Sequence, residues 1–134
     1  MNYLIDTHYL LWSLFSPQKL SSAIKKIFTA PDSIKFVSQI TFWEISLKFS
    51  LGKLELSGIN PSQLLAESEK AGFVILEMNS EDLASFWNLP ALEGHRDPFD
   101  RLLIWQSIRN RLLFVSADKK AADYCQHGLK LANK

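Results

Sequence analysis

Short apolar runs alternate along this chain with stretches whose apolar residues recur at helical spacing, the pattern of strands interleaved with helices. Asn2–Ile5 is an apolar run closed by Asp6 and predicts a buried strand. His8–Phe15 predicts a helix stopped by Pro17, and Ser21 or Ser22 caps another through Ile24, Ile27 and Phe28 that ends at Ala30-Pro31. Lys35–Ser38 reads as a second strand. From Gln39 to Leu51 a helix is predicted with Ile40, Trp43 and Leu47 on its apolar face and Gly52 at its C-terminal cap. A helix over Ser62–Lys70 follows, then a strand over Phe73–Met78 and a helix over Ser80–Trp87 that begins Ser-Glu-Asp. Pro98–Arg111 gives the strongest helical pattern, through Leu102, Leu103, Trp105 and Ile108. Leu112–Val115 is a strand, Lys119–Tyr124 a short helix, and a last strand lies near Leu129–Leu131. The alternation predicts an α/β fold, a parallel sheet of four or five strands covered on both faces. In such sheets ligands bind at the carboxyl ends of the strands, so acids at strand ends carry the most information.

Composition narrows the reading. With 134 residues the chain fits one domain, and 47% hydrophobic against 22% charged residues is the balance of a water-soluble globular protein. A net charge of +1 excludes nucleic-acid binding by bulk positive charge, though not by a local basic patch. Cys125 is the only cysteine, which excludes an intramolecular disulfide and a zinc-thiolate site. The start MNYLID has no basic residue, and the uncharged stretch Thr7–Gln18 falls short of the ~20 residues a membrane helix needs. A cytoplasmic protein is expected.

Asp6 and Asp118 each follow an apolar strand and precede a helix, so each serves either as an N-cap or as a site residue. Asp97 precedes Pro98, the ordinary arrangement of a cap, and Asp100 lies one turn further on. Glu44 lies inside the helix Gln39–Leu51, four residues before Lys48, with which it can pair. Clustered carboxylates repel one another unless a cation neutralises them. Hard ions such as Mg²⁺ or Mn²⁺ take oxygen ligands, and two of them ~3.5–4 Å apart can activate water and stabilise a leaving oxygen in phosphodiester hydrolysis.

Four motifs in order span the chain: LIDTHYLLW (4–12), the segment from Ser38 through WEIS and KFSLGKLEL to Leu56, HRDPFDRLLI (95–104) and LLFVSADKKAADY (112–124). Together they resemble the PIN domain, and within it the toxin ribonucleases of VapBC toxin–antitoxin systems. The resemblance implies a three-layer α/β/α sandwich on a mostly parallel sheet. By position, Asp6, Glu44, Asp100 and Asp118 match the family's catalytic and metal-binding acids, with Asp97 as a further ligand. Ser116 stands where the family often has threonine, a hydroxyl able to hold water at the metal. Trp105 and Ser107 depart from the small residues usual at those positions.

The resemblance implies a Mg²⁺- or Mn²⁺-dependent endoribonuclease that leaves 5′-phosphate and 3′-hydroxyl ends. It also implies a homodimer and a small antitoxin whose inserted segment crosses the acidic groove. Arg96 and Lys119 are the preferred contacts for RNA phosphates among the basic residues flanking the acids. His95 is expected to orient a carboxylate or lie near substrate rather than to ligate directly, and His8 is a weaker candidate. Trp12, Trp43, Trp87 and Trp105 are expected in the core or at a dimer contact. Two rivals stand beside the nuclease. One is a catalytically silent interaction module on the same fold. The other is a phosphotransferase with Asp6 as nucleophile, which wants a second acid where His8 stands.

Overall fold

A computed structural model describes residues 1–132. Strands β1 (Asn2–Ile5), β2 (Ile34–Ser38), β3 (Val74–Leu76), β4 (Leu113–Val115) and β5 (Lys130–Leu131) form one sheet in the order β3-β2-β1-β4-β5, parallel at every pairing. The helices are α1 (Thr7–Phe15), α2 (Ser22–Thr29), α3 (Gln39–Ser50), α4 (Pro61–Lys70), α5 (Ser80–Ala84) and α6 (Pro98–Arg109). Short 3₁₀ turns occupy Pro17–Lys19 and Phe86–Asn88, and a longer 3₁₀ segment runs over Lys119–His127.

The period-2 geometry of the strands divides the interior into two cores. In β1, Tyr3 and Ile5 point to one face, where they pack with Leu10 of α1, Ile24 of α2 and Leu64 of α4. Leu4 points to the other, among Leu103 and Ile104 of α6 and Ala121 and Tyr124 of the 3₁₀ segment. The sheet is thus sandwiched between helical layers, the α/β/α architecture expected of near-continuous apolar strands. Leu4 and Ile5 are fully buried, as a central strand covered on both faces requires.

Element boundaries depart from the sequence reading at three places. The third strand shrinks to Val74–Leu76, because it lies at the sheet edge and pairs only with β2. The Ser80–Trp87 helix breaks into α5 and a 3₁₀ turn, and the Lys119–Tyr124 helix is wound as 3₁₀ and runs on to His127. The tryptophans divide. Trp12 and Trp105 pack against the cores, and the Trp105 indole N–H donates to the Asp82 carbonyl at 3.0 Å. Trp43 and Trp87 do not belong to the core; they are 59% and 80% exposed. Among the described residues no helix is long and apolar enough to cross a membrane.

The chain leaves β1 for β2 and β3 on one side and returns for β4 on the other. The strand order therefore reverses between β1 and β4, and a crevice opens at their carboxyl ends.

Candidate metal centre

Asp6 closes β1 at that crevice, and Ser116–Asp118 close β4 on its opposite lip. Asp6 is buried, and backbone N–H groups hold both its oxygens: Tyr9 donates to Oδ1 at 2.9 Å and Ala117 to Oδ2 at 2.7 Å. The first bond caps α1, and the second ties the end of β1 to the turn after β4. Burial raises the Asp6 carboxyl above its ordinary value, opposed by those two N–H groups, the charge of His8 and the Ser116 hydroxyl.

Asp118 likewise divides its oxygens. Oδ1 accepts from the Lys120 N–H at 2.9 Å, capping the 3₁₀ segment, and Oδ2 lies 2.9 Å from His95 Nε2. His95 is buried, and its Nδ1 lies 2.7 Å from the Tyr124 hydroxyl, which in turn accepts from Arg101 Nε at 3.4 Å. Only one proton arrangement satisfies this chain with a neutral ring. Arg101 N–H donates to Tyr124, the Tyr124 hydroxyl donates to Nδ1, and Nε2–H donates to the carboxylate. His95 thereby fixes the direction of Asp118.

Glu44 projects from α3 into the interior and is buried together with Thr41 and Ile45. Its Oε1 accepts from the Thr7 hydroxyl at 2.8 Å, and Oε2 pairs with Lys48 one turn along the helix. The neighbouring carboxylates Glu44, Asp97 and Asp100 hold the Lys48 ammonium in its charged form against partial desolvation. Asp97 caps α6 through Oδ1, accepting from Phe99 N–H at 2.9 Å and Asp100 N–H at 3.4 Å. Its neighbour Asp100 stands a turn inside α6 and feels every other acid. Desolvation comes first, then the charges of Asp97, Glu44, Asp118 and Asp6, and together they push its pKa to about 7.

Asp6, Glu44, Asp97 and Asp118 thus all lie within electrostatic reach of Asp100, but of the five acids only Asp100 and Asp118 bring ligand atoms into one close group among the described residues. His95, Asp100 and Asp118 each offer a ligand atom, all lying within 4.8 Å of one another, the spacing of a metal-binding cluster. With both His95 nitrogens engaged by Tyr124 and Asp118, the donors left for an ion are hard carboxylate oxygens, and a carboxyl raised by desolvation and by its neighbours' negative charge is one that a divalent cation would return to the ionised form. The residues fit such an ion.

Arg96 and Lys119 are exposed, Arg96 between His95 and Asp97 in sequence and Lys119 directly after Asp118. Arg101 and Lys120 instead bind backbone carbonyls, Arg101 those of Leu89 and Pro90, and Lys120 that of Gly94. His8 is exposed, its ring against Trp12. The sequence reading missed Thr7, Tyr124 and the role of Arg101. Thr7 directly follows a candidate acid, a signal that was available; the Tyr124 and Arg101 contacts span 29 and 23 residues and leave no local signal.

The family model described as PIN domain matches residues 3–126. No curated protein matches the chain in sequence. Solved structures resemble it over nearly its full length. VapBC-1 from nontypeable Haemophilus influenzae aligns with a TM-score of 0.67 at 16% identity, covering 98% of this chain and 96% of that one. VapBC2 from Rickettsia felis, bound to a DNA fragment from its promoter, gives 0.66 at 13% identity with coverage of 98% and 97%. DNA-bound VapBC from Salmonella typhimurium gives 0.66 at 15%, with coverage of 98% and 96%. At these identities the likeness is one of fold.

Proposed function

The chain belongs to the PIN domain family, and from that premise we propose that it is a metal-dependent endoribonuclease, the toxin of a toxin–antitoxin pair acting in the cytoplasm. The observation that carries the reading is the cluster in which His95, Asp100 and Asp118 place polar atoms within 4.8 Å of one another, with Asp100 pushed to about 7 by desolvation first and then by the charges of Asp97, Glu44, Asp118 and Asp6. A fold gains nothing from assembling that much like charge unless a cation or substrate answers it.

Asp6, Glu44, Asp100 and Asp118 are the residues that would hold Mg²⁺ or Mn²⁺, with Asp97 at the margin. When bound, such ions supply activation of water and stabilisation of the leaving oxygen in phosphodiester hydrolysis. The chain's own residues do the positioning. Two backbone N–H groups lock Asp6, the Thr7 hydroxyl orients Glu44, and His95 aims Asp118. Ser116 stands beside Asp6 on the lip of the crevice and is assigned to substrate or water. RNA must approach this acidic pocket against repulsion, and the exposed Arg96 and Lys119 are the side chains that would meet its phosphates. A homodimer and a small antitoxin that covers the groove complete the proposal.

The decisive experiment is cleavage of RNA by purified, metal-stripped protein with and without Mn²⁺ or Mg²⁺, beside Asp100→Asn. Metal-dependent cutting that falls by about 10³-fold or more in the variant, the loss of a group acting at the reacting centre, is the expected result. A variant as active as the wild type would overturn the assignment. Growth arrest on expression, relieved by an adjacent reading frame, tests the toxin role. A folded, metal-binding protein that cuts no RNA and arrests nothing would leave the interaction module.

A further inference from the structure

Beside the crevice, between the turn after β4 and β5, the surface opens into a cavity of about 450 Å³ whose far wall, Ala122, Cys125 and Leu131, has no part in the function proposed above. Ser116, Ala117, Asp118 and Lys119 line it along the turn, and Ala122, Cys125 and Leu131 line it from the 3₁₀ segment and β5. Its form follows from the winding of the 3₁₀ segment. Residues three apart eclipse one another in such a helix, so Lys119, Ala122 and Cys125 share one side while Ala121 and Tyr124 are buried on another. Ala122 and Cys125 are small, and they leave room where a longer side chain would fill it.

We propose that this cavity is a nucleobase subsite, which receives the base of a nucleotide whose phosphate lies at the acidic cluster; the inference rests on the nuclease reading. Three observations carry it. The cavity shares Ser116 and Asp118 with the metal centre, so an occupant is continuous with a substrate there. Its lining joins apolar Ala117, Ala122 and Leu131 to the polar Ser116 and Asp118, matching a ligand with apolar faces and a hydrogen-bonding edge. Lys119 is exposed, has no ion pair among the described residues, and brings to the cavity the positive charge that a phosphodiester requires.

Cys125 is the only cysteine in the sequence and is exposed in the cavity, so its thiol reports occupancy without metal and without catalysis. The metal-free protein is reacted with Ellman's reagent in the presence of each of the four nucleoside 5′-monophosphates at millimolar concentration, with ribose 5-phosphate as the base-free control. At least one nucleotide should slow the reaction about threefold, as expected when ligand stands at twice its dissociation constant, and ribose 5-phosphate should not. Equal rates with all five compounds overturn the subsite. Cys125→Trp supplies the second arm by filling the cavity. With Mn²⁺ binding retained, it should shift the bases at which RNA is cut or lower kcat/KM by about tenfold. An unchanged cleavage pattern and rate count against the proposal. The two readings fail separately: protection of Cys125 in a protein that cuts no RNA retires the nuclease and keeps a nucleotide site, whereas cutting without protection does the reverse.

Discussion

A carboxylate has two oxygens, and here that decides how single residues are to be read. From sequence, Asp6 and Asp118 read as helix caps or as site residues. The structure makes each a cap with one oxygen and sends the other across the crevice, to the Ala117 N–H and to His95. Asp97 caps α6 through one oxygen alone. The chain from Arg101 through Tyr124 to His95 makes a specific claim about proton position. In Tyr124→Phe the donor to Nδ1 is lost, which should cost about 1–2 kcal/mol of stability and weaken Mn²⁺ binding about tenfold. Histidine ¹⁵N shifts should report Nε2–H in the wild type and a mixture of tautomers in the variant. Asp100 gives the pH dependence. Its folded pKa of about 7 lies above the ordinary 3.8, so the folded protein keeps a proton that the unfolded chain has released. Stability of the metal-free protein therefore falls as pH rises through that window. Asp100→Asn should abolish that slope and at pH 8 leave the metal-free variant more stable, by about 1–2 kcal/mol once solvent screening of this half-buried group is allowed for. Urea midpoints at pH 5 and pH 8 measure it.

At the scale of elements, helix identity was legible and helix orientation was not. The pattern Ile40, Trp43, Leu47 marked α3 as helical, but of the three only Ile40 lies on the buried face. The buried face carries Ile40, Thr41, Glu44 and Ile45, whereas Trp43 and Leu47 are exposed. Two polar residues occupy the interior stripe because the crevice lies there, and a rule that counts polar residues as outward turns such a helix about its axis. The 3₁₀ winding of Lys119–His127 was equally hidden, since its apolar positions at Ala121 and Tyr124 suit either helix type. The start of α6, by contrast, was read correctly from Asp97-Pro98, and it separates two roles of one side chain. Asp97→Ala should destabilise the protein by about 1 kcal/mol, while Asp97→Asn, which still accepts the Phe99 N–H, should restore most of that loss. A cleavage assay on the Asn variant then measures what the charge of Asp97 contributes, separated from the cap.

For the whole molecule, apolar strands alternating with helices sufficed for a parallel α/β sandwich, because both faces of the sheet are covered and its strands need no polar side. Strand order was not legible. It depends on pairings such as Tyr3 with Leu113, which no local pattern encodes. The reversal of that order beside β1 is what gathers acids from four elements at one edge, and it ties the stability of the molecule to the ion the site would hold. Mn²⁺ at about a hundred times its dissociation constant should stabilise the folded state by about 2.7 kcal/mol. A melting temperature indifferent to Mn²⁺ and chelator would deny that coupling. The place of β1 also bears on the birth of the protein. Strand β1 is synthesised before β4 and acquires its second neighbour only when β4 follows, and the bond from Ala117 to Asp6 closes a span of 111 residues. Until that late segment emerges, the nascent chain carries Asp6, Glu44, Asp97 and Asp100 without Asp118 or the crevice, so under the nuclease proposal a polypeptide interrupted before residue 112 should leave intact the RNA from which it is being translated.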